Sequence, residues 1–224
     1  MKRAFDILVS ACFIIFSSPI LLLAALGIRL SSPGPVFYRA QRVGIGGQNF
    51  CMFKFRSMHI SNGGAVITAK QDPRIFLFGR LLRKLKVDEL PQFINVLRGD
   101  MSIVGPRPED PKVVEQAYTP WMLETLSVRP GITSPGAIFY YARGEQLIDP
   151  NDPENSYIKC LLPPKIAIDR GYIERATLLS DFACIARTAA AIILETLGRP
   201  IHPSTRDYLA AQPWAPADAF SDMK

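Results

Sequence analysis

Hydrophobic positions fall into unequal blocks along this chain of 224 residues. Between Asp6 and Arg29 runs an uncharged stretch, Ile7 to Ile28, interrupted by Ser17-Ser18-Pro19. As one straight helix it would reach roughly 33 Å, enough to span a bilayer. Pro19 removes a backbone donor and clashes with the carbonyl four residues back, which favours a sharp bend near mid-segment. Ser17 and Ser18 can hydrogen-bond the carbonyls freed there, where lipid offers no partner. Lys2 and Arg3 flank one end, and Arg29, Arg39 and Arg42 follow the other. The positive-inside tendency places both ends on the cytoplasmic side. The pattern predicts a re-entrant helix-break-helix over residues 1–30, broken at Ser18 and Pro19, each arm dipping about 18 Å into one leaflet. A kinked single-pass helix is the alternative. A cleaved signal peptide fits less well, because the stretch exceeds the usual apolar core.

Val36 to Arg42 and Phe50 to Phe55 are rich in β-branched and aromatic residues and are separated by Gly44-Ile45-Gly46-Gly47. This predicts a β-hairpin. Alternation puts Lys54 and Arg56 on one strand face, either solvated or turned to a ligand. Residues 61–72 read as a polar loop. Asp72 as N-cap and Pro73 at the first helical position open a basic amphipathic helix through Lys86, suited to a headgroup boundary or to core packing. Leu90 to Leu97 continue as a short helix that Gly99 ends. Prolines make Val104-Gly105-Pro106-Arg107-Pro108 irregular, and Arg129-Pro130-Gly131-Ile132-Thr133 has the same character. Helices are expected near 111–126, 154–174 and 178–197, the last a core or interfacial helix. Residues 199–224 read as an irregular tail. The fold class expected is α+β: mostly helical with a small hairpin, a membrane anchor (1–30), a cytoplasmic-face domain (31–198) and the tail.

Composition sharpens this picture. The chain is 48% hydrophobic and 21% charged, too charged for a polytopic membrane protein and apolar for a soluble one. A net charge of +6 with a pI near 9.3 points to an anionic partner,. A membrane surface or phosphorylated substrates fit; nucleic acid fits poorly, since no recognised binding motif is present. Four scattered cysteines and two histidines offer neither zinc-ligand spacing nor a disulfide framework,.

Candidate chemistry centres on Asp88-Glu89, which follow the basic run Arg74 to Lys86. Neighbouring carboxylates can divide nucleophilic and metal-binding roles, and an aspartate can accept a phosphoryl group. Alone, such a pair is more often a solvated surface. Arg107, held in a rigid proline loop, suits bidentate phosphate binding.

Several ordered motifs carry a resemblance. They are Arg3-Ala4-Phe5-Asp6, Ser18-Pro19, Ser32-Pro33-Gly34-Pro35-Val36-Phe37, Phe53-Lys54-Phe55-Arg56-Ser57-Met58, Asp88-Glu89-Leu90-Pro91-Gln92, Asn95 to Ser102, Val104 to Pro108 and Arg129 to Thr133. From about Lys2 to Leu197 the chain resembles the bacterial sugar transferases, specifically the small monotopic phosphoglycosyl transferases. The resemblance implies transfer of a sugar 1-phosphate from a UDP-sugar to polyprenol phosphate, expected to be undecaprenyl phosphate, with release of UMP. It implies a covalent phosphosugar on Asp88, Mg²⁺ at Asp88 and Glu89, and a re-entrant anchor broken at Ser-Pro in the bacterial inner membrane. Candidate phosphate-binding cations are Arg107 first, then Lys54, Arg56, Arg83, Arg129 and Arg143. Glu89 is placed with the metal or with deprotonation of the acceptor. Membrane lipids are expected partners, and a homo-oligomer is compatible with the sequence. After Thr133 the family usually continues Gly-Trp with a later Asn-Gly-Arg, whereas this chain reads Ser134 to Gly144, with Arg143-Gly144 aligned to that arginine. The rival reading is a non-catalytic membrane-anchored module that binds anionic lipids through residues 74–86.

Overall fold

The computed structural model describes residues 1–60, 72–149, 151–202 and 204–215. The apolar segment forms α1, Lys2–Ser31, an α-helix of 30 residues with Pro19 inside it. The expected interruption at Ser18-Pro19 is therefore corrected to a continuous helix. The physical reason lies in two hydroxyls. Pro19 has no N–H to offer the Ile15 carbonyl, and Ser18 Oγ donates to that oxygen instead, at 2.8 Å, while Ser17 Oγ donates to Phe13 O at 2.6 Å,.

One face of α1, Asp6, Ser10, Ser17, Ala24 and Ile28, is buried, while Leu8, Ile15, Phe16, Leu22, Leu23 and Leu30 are exposed. Both ends dock on the same body. Near the start, Asp6 accepts from Ile103 N and from Ser102 Oγ, and Arg3 donates to the Leu97 and Met101 carbonyls. Near the other end, Ala24 and Ile28 share a core with Phe55, Phe76 and Leu82.

The hairpin forms as expected, with β1 (Phe37–Val43) antiparallel to β2 (Asn49–Phe55) and Tyr38 opposite Lys54. Gly46 and Gly47 in its connection have positive φ, which is why glycines stand there,. The loop expected at 61–72 lies outside the described residues except for Asp72. The helix expected from Pro73 starts later, as α2 over Leu77–Lys84. Asp72 instead accepts from Arg74 N at 2.9 Å and pairs with its guanidinium, and Ile75 bridges to Met58, so these residues form a turn,. Leu77, Leu81 and Leu85 leave α2 an exposed apolar stripe beside its cations.

α3 (Gln92–Arg98) ends at Gly99 with φ 97°, as expected. Next come β3 (Ser102–Val104), α4 (Pro111–Ala117) and α5 (Pro120–Leu123). The Arg129 corner leads into a strand, β4 (Gly131–Thr133), that pairs in parallel with β3. This pair brings the two proline motifs into contact. A Cβ on Gly131 would lie 2.2 Å from Gly105 N, so only glycine fits.

α6 (Pro135–Leu147) starts at Ser134, whose hydroxyl caps Ala137 N, with proline at the first helical position,. Asp169 holds that start, accepting from Gly136 N and Ser134 Oγ. α7 (Pro153–Ser156) passes through a π-helical turn, Tyr157–Leu161, into α8 (Leu162–Ile173). α9 (Leu178–Thr196) is capped by Thr177 and Ser180 and leaves Leu179, Phe182, Ile193 and Leu197 exposed. The expected irregular tail contains a helix, α10 (Thr205–Ala211). Ala211 is buried in the core that α8 supplies, and the Ala210 backbone packs against Gly171, where any Cβ would collide. That packing, not local propensity, makes the segment helical.

Candidate active site

The dyad sits on a 3₁₀ turn, Val87–Glu89, between α2 and α3. Lys86 enters it in the left-handed region, φ 55°, unusual for a residue with a Cβ,. Such backbone strain, held by its surroundings, is concentrated at functional sites. Asp88 is 7% exposed, and its Oδ1 is a buried oxygen without a hydrogen-bond partner. Glu89 is differently placed. Its Oε1 accepts from Lys54 Nζ at 3.1 Å and from Arg107 Nη2 at 2.5 Å. Arg107 Nη1 donates to Ile132 O of β4, so the β3–β4 pair fixes the guanidinium.

These contacts push the two carboxyls apart. Burial, reinforced by the Glu89 charge, raises Asp88 to about 6. Burial acts on Glu89 too, but Arg107, Lys54 and Lys86 outweigh it and hold Glu89 below the usual carboxylate range. Burial lowers Lys54, against the pull of Glu89. Environments that separate two neighbouring carboxylates divide their roles.

The dyad opens on a cavity of about 610 Å³. Lys54, Arg83, Lys86 and Arg107 line it, with Tyr38, Tyr140 and Tyr141. Arg83 donates to Met58 Sδ and its charge reaches Asp88. The Lys86 ammonium lies 4.2 Å from the Tyr141 ring centroid. The sequence-expected arginines do not all converge. Arg56 also lines the cavity, yet its guanidinium is committed to Pro35 O, Ser32 Oγ and Ser32 O, so it fastens the exit of α1. Arg129 donates to Gly99 O and lines a separate, smaller cavity with Lys2 and Arg3. Arg143 bonds Tyr208 of α10 and lies outside the dyad's cavity lining. Lys86, Tyr140 and Tyr141 were missed. The positive φ of Lys86 has no signature in a lysine, and the α6 tyrosines reach the site only through packing.

The model of the bacterial sugar transferase family matches residues 1–195. The chain belongs to that family. Three curated relatives show its range. A Caulobacter vibrioides protein named UDP-glucose:undecaprenyl-phosphate glucose-1-phosphate transferase is 36% identical, across 86% of this chain and 69% of its own length. An Aeromonas hydrophila protein named UDP-N-acetylgalactosamine-undecaprenyl-phosphate N-acetylgalactosaminephosphotransferase is 37% identical over 86% of this chain. The chain spans only 44% of that relative. The exopolysaccharide production protein ExoY of Sinorhizobium fredii is 33% identical, covering 86% of this chain and 85% of its own length. The sugars named for the first two relatives differ, so family membership leaves the donor to be read from the site.

For this bacterial sugar transferase a metal would have modest protein support. Among the described residues no set of three His, Cys, Asp or Glu side chains could hold an ion. Asp88 Oδ1, unengaged and buried beside Glu89, does fit a single-carboxylate contact. Mg²⁺ binds in that way, through one or two carboxylates together with substrate phosphates and waters.

Proposed function

We propose that this bacterial sugar transferase moves a sugar 1-phosphate from a UDP-sugar to polyprenol phosphate, expected to be undecaprenyl phosphate. This is the first membrane step of a bacterial polysaccharide, at the cytoplasmic face of the inner membrane. Asp88 Oδ1 attacks the sugar-proximal phosphorus, the bond to the bridging oxygen breaks, and UMP leaves with that electron pair. An oxygen of polyprenol phosphate then attacks the phosphorus of the acyl phosphate, and the Asp88 carboxylate departs. The observation that carries this reading is the contrast within the dyad. Glu89 is already neutralised by Lys54 and Arg107, while Asp88 keeps an oxygen free.

Arg107, Lys54, Arg83 and Lys86 bind and orient the diphosphate, in a partly enclosed site where charge–charge attraction exceeds its value in water. Mg²⁺, if held by Asp88 together with the diphosphate, would supply charge neutralisation for the leaving phosphate. The anchor supports the same reading. Because both ends of α1 dock on one body, its exposed apolar side lies in a single leaflet. The lipid acceptor is then delivered at the depth of the headgroups. Phe5 packs on Phe182, with ring centroids 4.8 Å apart, so the apolar face of α9 borders that of α1.

The test is chemical trapping. The purified protein is mixed with labelled UDP-sugar, quenched within milliseconds to seconds and digested. A phosphosugar on the peptide containing Asp88 is expected. Turnover without any such modified peptide overturns the covalent route.

A further inference from the structure

The cavity continues past Arg107 to a second polar end that the phosphate chemistry leaves unused. Glu109 lies two residues beyond Arg107 on the same segment. Its Oε1 accepts from Tyr157 Oη at 2.6 Å and from Lys165 Nζ, and Lys165 Nζ in turn lies 3.0 Å from Tyr157 Oη. All three residues line the cavity, together with Arg42 and Tyr140. This is no surface ion pair: the Lys165 and Glu109 side chains are 4% and 10% exposed. A buried pair of this kind gives little net stability compared with apolar packing, so stability alone does not account for it. Burial works against the Glu109 charge, but Lys165 and Tyr157 prevail and keep it ionised.

Two further features point to a ligand. Tyr157 opens the π-helical turn, and such turns are frequent at functional sites,. Tyr140 lines the same cavity as Arg107, Glu89 and Glu109, so the phosphate end and this one share a wall. The ammonium of Lys165 has a third N–H beyond the two bonds described, and no described bond engages Glu109 Oε2. A donor and an acceptor side by side match two neighbouring hydroxyl groups.

We propose that Glu109, Tyr157 and Lys165 form the glycosyl subsite, binding adjacent hydroxyls of a neutral hexose on the donor. This rests on the transferase reading above. With the diphosphate at Arg107 and Lys54, the sugar extends toward Glu109. An acetamido group in place of one hydroxyl would set a methyl against the charged pair and leave a buried polar group unmatched. The chain therefore selects a UDP-hexose over a UDP-N-acetylhexosamine.

Equilibrium binding of UDP, UDP-glucose, UDP-galactose and UDP-N-acetylglucosamine to the full chain in nanodiscs tests this. The wild-type protein is expected to bind at least one of the two hexose donors about tenfold or more tightly than UDP-N-acetylglucosamine. The double variant Glu109→Gln/Lys165→Met removes both charges and leaves no buried ion unpaired. It should narrow that preference to about twofold while changing UDP affinity by less than about threefold. Tyr157→Phe, which removes only a hydroxyl, should weaken the preferred UDP-hexose by about threefold or more with UDP unchanged, and serves if the double variant does not fold. Equal losses for UDP and UDP-hexose, a surviving preference in the double variant, or a wild-type preference for the acetamido donor would each overturn the assignment. UMP release is followed in parallel. Selective hexose binding without UMP release would sink the transferase reading and keep the subsite; UMP release with unselective binding would do the reverse.

Discussion

Arg107 Nη2 lies 2.5 Å from Glu89 Oε1, and the same oxygen takes Lys54 Nζ at 3.1 Å. Glu89 is thus committed to two cations, and the adjacent Asp88 is left with a free oxygen. An ordinary Asp-Glu dipeptide becomes two groups with separate tasks.

That division sets distinct outcomes for substituting each carboxylate. Asp88→Asn removes the proposed nucleophile and should lower UMP release by about 10³-fold or more, with folding and membrane association kept. Glu89→Gln leaves Lys54 and Arg107 without their counter-charge inside the site. It should reduce stability by roughly 3 kcal/mol, read by thermal unfolding, in addition to lowering activity.

The pH response of Asp88 runs in opposite directions for activity and stability. Burial raises it from 3.8 to about 6. The proton is held more tightly in the folded chain, so this contribution to stability is present below about pH 4 and is lost as pH rises through about 6. In the proposed reaction the attacking form is the carboxylate, so kcat/KM should climb about tenfold per pH unit up to about pH 6 and then level. Asp169, also raised by burial to about 6, shares the stability slope. Asp169→Asn should flatten part of the stability slope and leave the kinetic limb in place, as a pH series of both measurements would reveal.

The arginines should separate cleanly in kinetics. Arg107→Ala is expected to reduce kcat/KM by about 10²-fold, the scale for losing one preorganised donor at a developing charge. Arg129→Ala, in a different cavity, should stay within about threefold. Arg56→Ala should lower the Tm through the freed Ser32–Pro35 segment without raising the KM for the donor. A large KM effect at Arg56 would contradict its structural assignment.

In α1, Ser18→Ala should cost about 1 kcal/mol, because the Ile15 carbonyl then loses the donor that replaces the missing Pro19 N–H,. Adding Pro19→Ala restores a backbone N–H for that oxygen and should recover the loss. Thermal unfolding in nanodiscs of the single and double variants measures the difference.

Much of this protein is legible from local chemistry. The hairpin follows from strand-forming residues around Gly44-Ile45-Gly46-Gly47, the end of α3 follows from Gly99, and the dyad stands out by motif order. Where the reading differed, a longer-range partner prevailed. Asp72 turned to Arg74 instead of capping a helix. The β3–β4 pair joins Ser102 to Gly131 across intervening helices. α10 forms because α8 offers it a surface. Residue type identified a basic chain with a long apolar N-terminal segment and a carboxylate pair. It could not rank Arg56, Arg107, Arg129 and Arg143, since each carries the same charge and reach. Only packing decided that Arg107 faces Glu89 while the others bond elsewhere, because a guanidinium acts where its neighbours leave it partners.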